Sequence, residues 1–418
     1  MYVINLSRII TTFDYRLFIS IICLFLLASC QRSPDESIEH PTKITFSDYR
    51  IFYDGQNDGY GTISGTFVKQ EERVFGLITS GGGHEDDEKG ARPFFIETVN
   101  LGETWSEPKP FASHFIDDPR NESLHLGLSS STDQGTIIAN GFHFKVGDSS
   151  LLYEELDWRA YTLIVGRKGK GTSEFTYKEY PSGTFLGEQF MERGVQLNSG
   201  RLVYSIWGSK NKGENWRCGV LLSDDEGISW KYRDVAYEPD LGIRNYPKAP
   251  AGFNEQTLFV TENQKIVSII RGREKLGQVK ESPRDTYFLR SESIDGGETW
   301  SDYETTNLAG TGATGIGLTL PDGSFLQACR IPYSRELYKL GDPELYGLHF
   351  ARSYDEGKTW QTEHMLQYDP VGTPFTNHYN AMNGQFIKIN GEEWLYIFGQ
   401  FDNSKNIHRI LSCRMTIK

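Results

Sequence analysis

An eight-residue pattern recurs along the chain and constrains its fold more than any other feature. Its first, third, fifth, seventh and eighth positions hold Ser or Thr, Asp or Asn, Gly, Ser or Thr, and Trp, and copies begin at Thr98, Ser223, Ser293 and Ser353. The last two spacings are 70 and 60 residues, whereas the first is 125, about twice as long. A degenerate copy is therefore expected midway, and Val165–Phe175 has the glycines without the Asp and Trp. A period of this size indicates a repeated supersecondary unit.

Each copy is typical of a turn between two antiparallel strands, since an apolar β-rich run precedes it and strand residues follow. An Asp carboxylate accepts hydrogen bonds from turn N–H groups, and Gly adopts a positive φ that other residues resist. The Trp can pack between neighbouring units. Nothing in this set needs catalysis, so the pattern predicts a structural role.

The composition agrees with an all-β fold and restricts the partners. The 418 residues include 13% aromatic residues and 43 glycines, a mixture that favours strands and tight turns. The net charge of −13 argues against nucleic acid as a partner, because phosphate binding needs a basic surface. It does not exclude an anionic small ligand, which a local arginine cluster can bind.

The N-terminal residues predict export and lipid attachment. The apolar run 17–30, "LFISIICLFLLASC", follows Arg8 and Arg16 and ends in a segment that resembles the bacterial lipobox. We therefore expect a signal peptide over residues 1–29, a lipidated Cys30 beginning a flexible tether over 30–43, and the folded domain over 44–418. This organisation predicts a lipoprotein of the cell envelope, at the outer membrane, anchored by its lipid alone.

The remaining cysteines predict neither a metal site nor an extensive disulfide framework. Cys218, Cys329 and Cys413 lie far apart in sequence, so at most one disulfide can form and all three can be buried thiols. No spacing of Cys or His residues is typical of a metal site, and no cofactor is predicted.

The repeated pattern resembles the Asp box of the sialidase superfamily, whose members carry BNR repeats. This resemblance covers most of residues 45–418 and implies a six-bladed β-propeller with its boxes on the side away from the active site. Five box positions plus one closing blade make six. The closing blade would combine a strand near 45–55 with the C-terminal segment 406–418, which leaves no open sheet edge.

The same resemblance implies a site at the mouth of the central channel. Glu255 follows Asn254, and Arg271 comes 16 residues later, as in the sialidase blade whose Glu pairs with the catalytic Tyr. Arg271 would be one of three arginines that bind the carboxylate of the substrate. Arg330, or alternatively Arg335, would be another. The N-terminal arginine would be Arg50, although Phe52 stands where the family's Arg-Ile-Pro motif has Pro.

The resemblance also places an acid and a nucleophile. An Asp of the first blade protonates the leaving oxygen in sialidases, and Asp86 and Asp87 lie with Glu85 in a glycine-rich loop ahead of the first box. Adjacent carboxylates repel one another and raise at least one pKa. The nucleophile would be Tyr379, paired with Glu255, because a neutral Tyr avoids the repulsion that the sugar carboxylate would exert on an anion. Tyr379 could instead pack or stack on a sugar.

Three functions are consistent with these residues. The first is an exo-acting glycoside hydrolase that releases terminal sialic acid from glycans with retention, through a tyrosyl intermediate. The second is a same-fold glycosidase or polysaccharide lyase that acts on another acidic glycan, and it is favoured if Arg50 or Arg330 points away from the channel. The third is a glycan-binding surface lipoprotein without catalysis.

Overall fold

The computed structural model describes residues 43–54, 62–80, 92–111, 123–144, 162–211, 214–239, 252–271, 287–309, 317–329, 348–366, 368–372, 380–402 and 407–418. The chain divides into two units, Met1–Lys43 and Ile44–Lys418, and the strands all belong to the second. Every regular element in the described part is a β-strand, as the composition predicted. No helix there is long and apolar enough to cross a membrane.

The strands form six antiparallel sheets of four, which are the blades of a β-propeller. The first blade is β2 (Thr62–Gln70), β3 (Arg73–Ser80), β4 (Arg92–Thr98) and β5 (Lys109–Pro110). The second is β6 (Ser123–Ser131), β7 (Ile137–Phe144), β8 (Thr162–Lys168) and β9 (Thr176–Tyr180). The third is β10 (Phe190–Gln196), β11 (Leu202–Gly208), β12 (Arg217–Ser223) and β13 (Lys231–Ala236).

The remaining blades follow the same order. The fourth is β14 (Asn254–Val260), β15 (Ile266–Arg271), β16 (Tyr287–Ser293) and β17 (Glu304–Ala309). The fifth is β18 (Gly317–Thr319), β19 (Phe325–Cys329), β20 (Leu348–Ser353) and β21 (Gln361–Leu366). The sixth is β22 (Asn380–Lys388), β23 (Glu393–Asp402), β24 (Ile407–Ile417) and β1 (Ile44–Asp54). The six-bladed propeller that the Asp-box resemblance implied is confirmed.

The ring closes as predicted, by pairing the N-terminal strand with the C-terminal one. β1 runs antiparallel to β24, from Ile44 opposite Ile417 to Asp54 opposite Arg409, and it forms the outermost strand of the sixth blade. The first strands of neighbouring blades contact one another around the whole ring, so they line the hub. Closure pairs the two terminal strands with each other, so that β24 is paired on both sides and β1 forms the outer edge of the blade.

The Asp boxes form self-contained turns between the third and fourth strands of their blades. In the box of the fourth blade, Ser293 Oγ donates to Asp295 Oδ1 over 2.8 Å and accepts from the Gly297 N–H over 2.8 Å. The Thr299 N–H and hydroxyl donate to the two Asp295 oxygens over 2.9 and 2.5 Å. The boxes that begin at Ser223 and Ser353 repeat these bonds. The structural role predicted for the pattern accounts for each of its polar side chains.

The box glycines also join neighbouring blades. Gly297 has a φ of 91°, and a Cβ there would lie 2.8 Å from Leu222 of the preceding blade. Gly102 meets Leu395 of the sixth blade in the same way, at 2.8 Å. A side chain at either position would be strained by the backbone and would also collide with the next sheet. Each glycine is therefore fixed twice, by its turn and by the packing between blades.

The two copies that depart from the pattern still lie between the third and fourth strands of their blades. Val165–Phe175 contains the connection from β8 to β9, the position that the boxes occupy in other blades, but an ordinary turn replaces the carboxylate network, with the Thr172 N–H donating to the Gly169 carbonyl. In the first blade, Asn100 replaces the Asp and its amide oxygen still accepts from Thr98 and from the Thr104 N–H.

The cysteines that follow the N-terminal segment are all buried free thiols. Cys218, Cys329 and Cys413 lie on β12, β19 and β24, on three different blades. Their spacing allowed either one disulfide or three buried thiols, and the structure shows three buried thiols.

Candidate functional site

The direction of the strands fixes which end of the hub can hold a site. The box turns join third and fourth strands on one face, here called the box face. In an antiparallel sheet, each first strand therefore begins, and each second strand ends, on the opposite face, here called the hub face. Loops and strand ends of several blades meet there, as they do in the ligand sites of other folds.

The first strands are irregular where they begin on the hub face. Register shifts interrupt β2 between Thr62 and Ser64, β10 between Met191 and Gly194, β14 between Asn254 and Gln256, and β22 between Asn380 and Met382. Bulges of this kind redirect side chains and are frequent next to active sites. The hub face thus departs from the regular repeat on four of its six blades.

Glu255 and Arg271 form an ion pair at one of these bulges. Asn254 pairs with Arg271 in the sheet, and Glu255 is the extra residue, with a φ of 49°. Arg271 Nη1 donates to Glu255 Oε2 over 2.5 Å, and the two side chains are 19% and 18% exposed. A left-handed backbone at a non-glycine residue costs energy and is concentrated at functional sites. The structure thus brings together two of the predicted site residues.

A second carboxyl, which the sequence did not identify, lies beside this pair. Glu192 Oε1 accepts from Trp207 Nε1 over 2.7 Å, and Oε2 accepts from Ser205 Oγ over 3.4 Å. The Gln256 N–H, next to Glu255, faces this carboxylate and acts to lower its pKa. Burial among protein atoms, and then the charge of Glu255, raise the pKa of Glu192 to about 8. A carboxyl with such a pKa still holds a proton at neutral pH, which ordinary glutamates do not.

Arg193 crosses the hub. It follows Glu192 on β10, in the third blade, and its Nη1 donates to the carbonyl of Gly384 on β22, in the sixth blade. Blades three and six lie opposite one another in a ring of six, so the side chain spans the channel beneath the hub face. Burial lowers the pKa of Arg193 to about 10, which leaves it charged at neutral pH. Arg193 therefore supplies a buried positive charge near Glu192.

A row of aromatic rings from blades two and three borders Glu192. Phe142 and Phe190 meet edge to face at 5.2 Å, Phe190 stacks on Trp207 at 4.1 Å, and Trp207 meets Trp216 at 5.0 Å. All four are partly exposed. Aromatic faces with polar groups at their edges suit the apolar faces and hydroxyls of sugars.

Two glycines allow neighbouring backbone segments to lie close together beside this aromatic row. Gly208 has a φ of 147°, and a Cβ there would lie 1.9 Å from the Glu188 carbonyl oxygen. Gly252 has a φ of 129°, and its Cβ would lie 2.2 Å from the Trp216 carbonyl oxygen. The Trp216 indole donates to Glu188 Oε2 over 2.8 Å, so ring and backbone are both fixed. A side chain at either glycine would displace Trp216 or Glu188.

Arg50 is not brought to the hub. It lies on β1, the outermost strand of the sixth blade, where its guanidinium donates to both Asp48 carboxylate oxygens over 2.9 and 2.8 Å. It also donates to the Glu103 carbonyl, in the box of the first blade, over 3.3 Å. With 41% of the side chain exposed, Arg50 joins two blades at the rim. A local sequence match could not reveal this, because the placement depends on the long-range pairing of β1 with β24.

The other predicted site residues lie outside the described residues: Cys30, Asp86, Asp87, Arg330 and Tyr379, with the alternatives Glu85 and Arg335. In the chain, Asp86 and Asp87 belong to the connection between β3 and β4, Arg330 follows β19 directly, and Tyr379 precedes β22 directly. The described strand ends that flank these connections lie on the hub face. Among the described residues, no group of three or more His, Cys, Asp or Glu side chains could hold a metal ion.

Comparisons with known proteins agree with this architecture. Residues 178–396, more than half of the chain, match the family model described as "BNR repeat-like domain". A search of curated proteins by sequence gave no significant match. Among solved structures, a Dyadobacter fermentans protein of unknown function is 15% identical with a TM-score of 0.66, over 90% of this chain and 99% of that one.

Sialidases are among the other structural neighbours. Trypanosoma rangeli sialidase in complex with the inhibitor DANA is 12% identical with a TM-score of 0.56, over 85% of this chain and 55% of that one. The Hadza microbial sialidase Hz136 is 14% identical with a TM-score of 0.57, over 84% and 65%. The chain thus spans a little over half to two thirds of the length of these sialidases, and identities this low show a shared fold alone. The family match over more than half of the chain shows that this chain belongs to the BNR repeat-like family.

Proposed function

We propose that this protein is an exo-acting glycoside hydrolase whose hub face binds a terminal acidic sugar. The observation that carries the proposal is the Glu255–Arg271 pair, held at a strained bulge where the first strand of the fourth blade begins. A planar guanidinium binds a carboxylate through two parallel hydrogen bonds, which a Lys ammonium cannot do. Arg271 would turn from Glu255 toward the sugar carboxylate, or bind both.

Sialic acid is the leading substrate, because the superfamily resemblance supplies a role for each predicted residue. Arg330 would join Arg271 on the carboxylate. The Tyr379 oxygen would attack the anomeric carbon and pass its proton to Glu255, while the leaving oxygen takes a proton from Asp86 or Asp87. Water would then release the sugar with retained configuration. The aromatic row from Phe142 to Trp216 would contact the apolar side of the glycan.

The position of Arg50 favours a second candidate. A three-arginine site for sialic acid needs an arginine from the N-terminal region, and Arg50 is engaged at the rim by Asp48 and Glu103. The sequence has no other arginine between Arg50 and Arg73. A site with fewer arginines suits a hexuronic acid, whose carboxylate is remote from the anomeric carbon. The second candidate is therefore a same-fold glycosidase or polysaccharide lyase acting on uronate-containing glycans.

The experiment compares purified protein on three substrates. These are the methylumbelliferyl α-glycoside of N-acetylneuraminic acid, methylumbelliferyl β-D-glucuronide, and a polyuronate whose lyase product has an unsaturated-uronate chromophore. Release from the first supports sialidase activity, and release from either of the others supports the second candidate. Arg271→Met should remove the activity while Arg50→Met retains it. Binding without cleavage of any substrate would leave a glycan-binding protein and refute both candidates.

We further propose that the protein works at the cell envelope, anchored through lipid on Cys30. The support is the sequence alone, in which Leu27, Ala28 and Ser29 precede this cysteine. Radiolabelled fatty acid should be incorporated into the full chain and not into Cys30→Ala. Equal labelling of the two, or none in the wild type, would refute lipid anchoring.

A further inference from the structure

We propose that Glu192 is the proton donor of the hub site, acting on the leaving-group oxygen beside the Glu255–Arg271 pair. The inference rests on the proposed function and adds a catalytic residue to it. It also competes with the assignment of the acid to Asp86 or Asp87. Its support is the set of described residues that surround Glu192.

The carboxyl of Glu192 accepts hydrogen bonds from two side chains of its own blade and faces a backbone N–H of the next blade. Trp207 Nε1 and Ser205 Oγ belong to the second strand of its own blade, at 2.7 and 3.4 Å. The Gln256 N–H belongs to the first strand of the next blade and follows Glu255 directly. A group that gives up a proton in the transition state acts best when its geometry is fixed beforehand.

Glu192 and its neighbour Glu255 differ in the charged groups that contact them. Glu255 is paired with Arg271, whereas the described groups around Glu192 give it no direct ion pair. The titratable and charged groups that face it are Arg193 on β10, Cys218 on β12, and Glu255 with its partner Arg271 on β14 and β15. Burial and the charge of Glu255 raise the pKa of Glu192 to about 8. A carboxyl whose pKa is raised in this way beside a charged pair is a recognised candidate for a general acid.

In the proposed step, the Glu192 carboxyl gives its proton to the glycosidic oxygen as the bond from that oxygen to the anomeric carbon breaks. The bonding electron pair stays on the leaving oxygen, which departs as an alcohol. A water molecule later supplies the oxygen at the anomeric carbon, and its proton restores the protonated carboxyl. Atoms and charge then balance without an oxidant or another cofactor.

A control residue lies in the same blade. Glu188 also accepts an indole hydrogen bond, from Trp216 over 2.8 Å, and a hydroxyl bond from Ser209 over 2.6 Å. It is 5% exposed, and its donors, Trp216 and Ser209, are not those of Glu192. Glu192→Gln and Glu188→Gln therefore make the same chemical change in two indole-bonded carboxyls, of which one is proposed to be catalytic.

The test compares two leaving groups on the same sugar: methylumbelliferone, which departs with little protonation, and the lactose of sialyllactose or the corresponding uronide. For Glu192→Gln we expect kcat/KM to fall about 100-fold or more on the natural glycoside and less than about tenfold on the aryl glycoside. Glu188→Gln should change both alike. Equal losses of kcat/KM on the two glycosides in Glu192→Gln would show a structural role and overturn the proposal. The proposal is also overturned if the larger loss on the natural glycoside appears in Asp86→Asn or Asp87→Asn and not in Glu192→Gln.

A second readout needs no substrate. Titration of Glu192 should change the fluorescence of Trp207 with a midpoint near about pH 8, in wild type and Glu188→Gln but not in Glu192→Gln. Its absence from the wild type overturns the proposal. If the titration is present and no glycoside is cleaved, the proposed function fails and the acid role falls with it, which distinguishes that failure from a wrong choice of acid.

Discussion

The two faces of the propeller are built from different kinds of residue. On the box face, three turns repeat one set of hydrogen bonds, and each polar group finds its partner within eight residues. On the hub face, first strands bulge, Glu255 has a strained backbone, and Glu192 and Arg193 reach partners on other blades. Repetition therefore marks the framework, and its interruption marks the candidate site. Strain and desolvated charge are tolerated where surrounding structure determines them.

A large effect on activity should separate the two faces by one substitution. Arg271→Met at the hub should lower kcat/KM about 100-fold or more, because a bidentate carboxylate contact is lost. Arg201→Met on the box face removes bonds to Asp224 and Glu298 and should leave kcat/KM unchanged. Activity and circular dichroism of both variants check this. A comparable loss of activity in folded Arg201→Met would break the distinction between the faces.

The next effect is a loss of stability, expected for a substitution in a turn of the box face. Gly297→Ala combines a φ of 91° with a contact of 2.8 Å to Leu222, and we expect a loss of about 1–3 kcal/mol in the free energy of unfolding. Gly391 has open space around it, so Gly391→Ala should stay within about 0.5 kcal/mol. Denaturant titration measures both. Equal values would mean that the box glycine is not fixed by its neighbour.

The faces should respond to pH with opposite sign. Asp295 is subject to burial, but hydrogen bonds from Thr299 and Ser293 outweigh it and lower the pKa from 3.8 to about 2. Its stabilisation is therefore present above the unfolded pKa and lost as pH falls through the folded one. Glu192, whose pKa rises from 4.5 to about 8, stabilises the folded state only while protonated, so that contribution declines as pH rises through this range.

Thermal unfolding of amide variants checks these signs. Relative to wild type, Glu192→Gln should gain a few degrees in Tm at about pH 9 and little at about pH 5. Asp295→Asn should lose a few degrees near neutrality and less at about pH 3. A Glu192→Gln difference that does not change with pH would show that the carboxyl titrates normally.

The smallest effect completes the first box. Asn100 donates its amide to Thr104 Oγ1 over 2.9 Å, whereas a carboxylate would accept from that hydroxyl, as Asp295 does. Asn100→Asp should therefore add a few tenths of a kcal/mol, since bonds to charged acceptors are stronger. Denaturant titration measures this gain, and a lower denaturant midpoint for Asn100→Asp than for wild type would show that the turn prefers the amide.

The sequence specified the framework because framework interactions are local. Box hydrogen bonds span four residues, so the pattern alone predicted the turns and their number. The spacing of Glu255 and Arg271 could be recognised in the sequence because both residues belong to one hairpin. Glu192 and Arg193 were missed, since their roles depend on the bulge in β10 and on Gln256 and Gly384, about 60 and 190 residues away. Arg50 matched a local motif, but long-range pairing carries it to the rim.

The most direct test makes one chemical change on each face, with Glu255→Gln at the hub and Asp295→Asn in a box. We predict that Glu255→Gln lowers kcat/KM about 1,000-fold on the acidic glycoside that the wild type cleaves, with Tm changed by only a few degrees. Asp295→Asn should lower Tm and keep kcat/KM. Retained activity in Glu255→Gln, or lost activity in folded Asp295→Asn, would contradict the separation of framework and site on which the account depends.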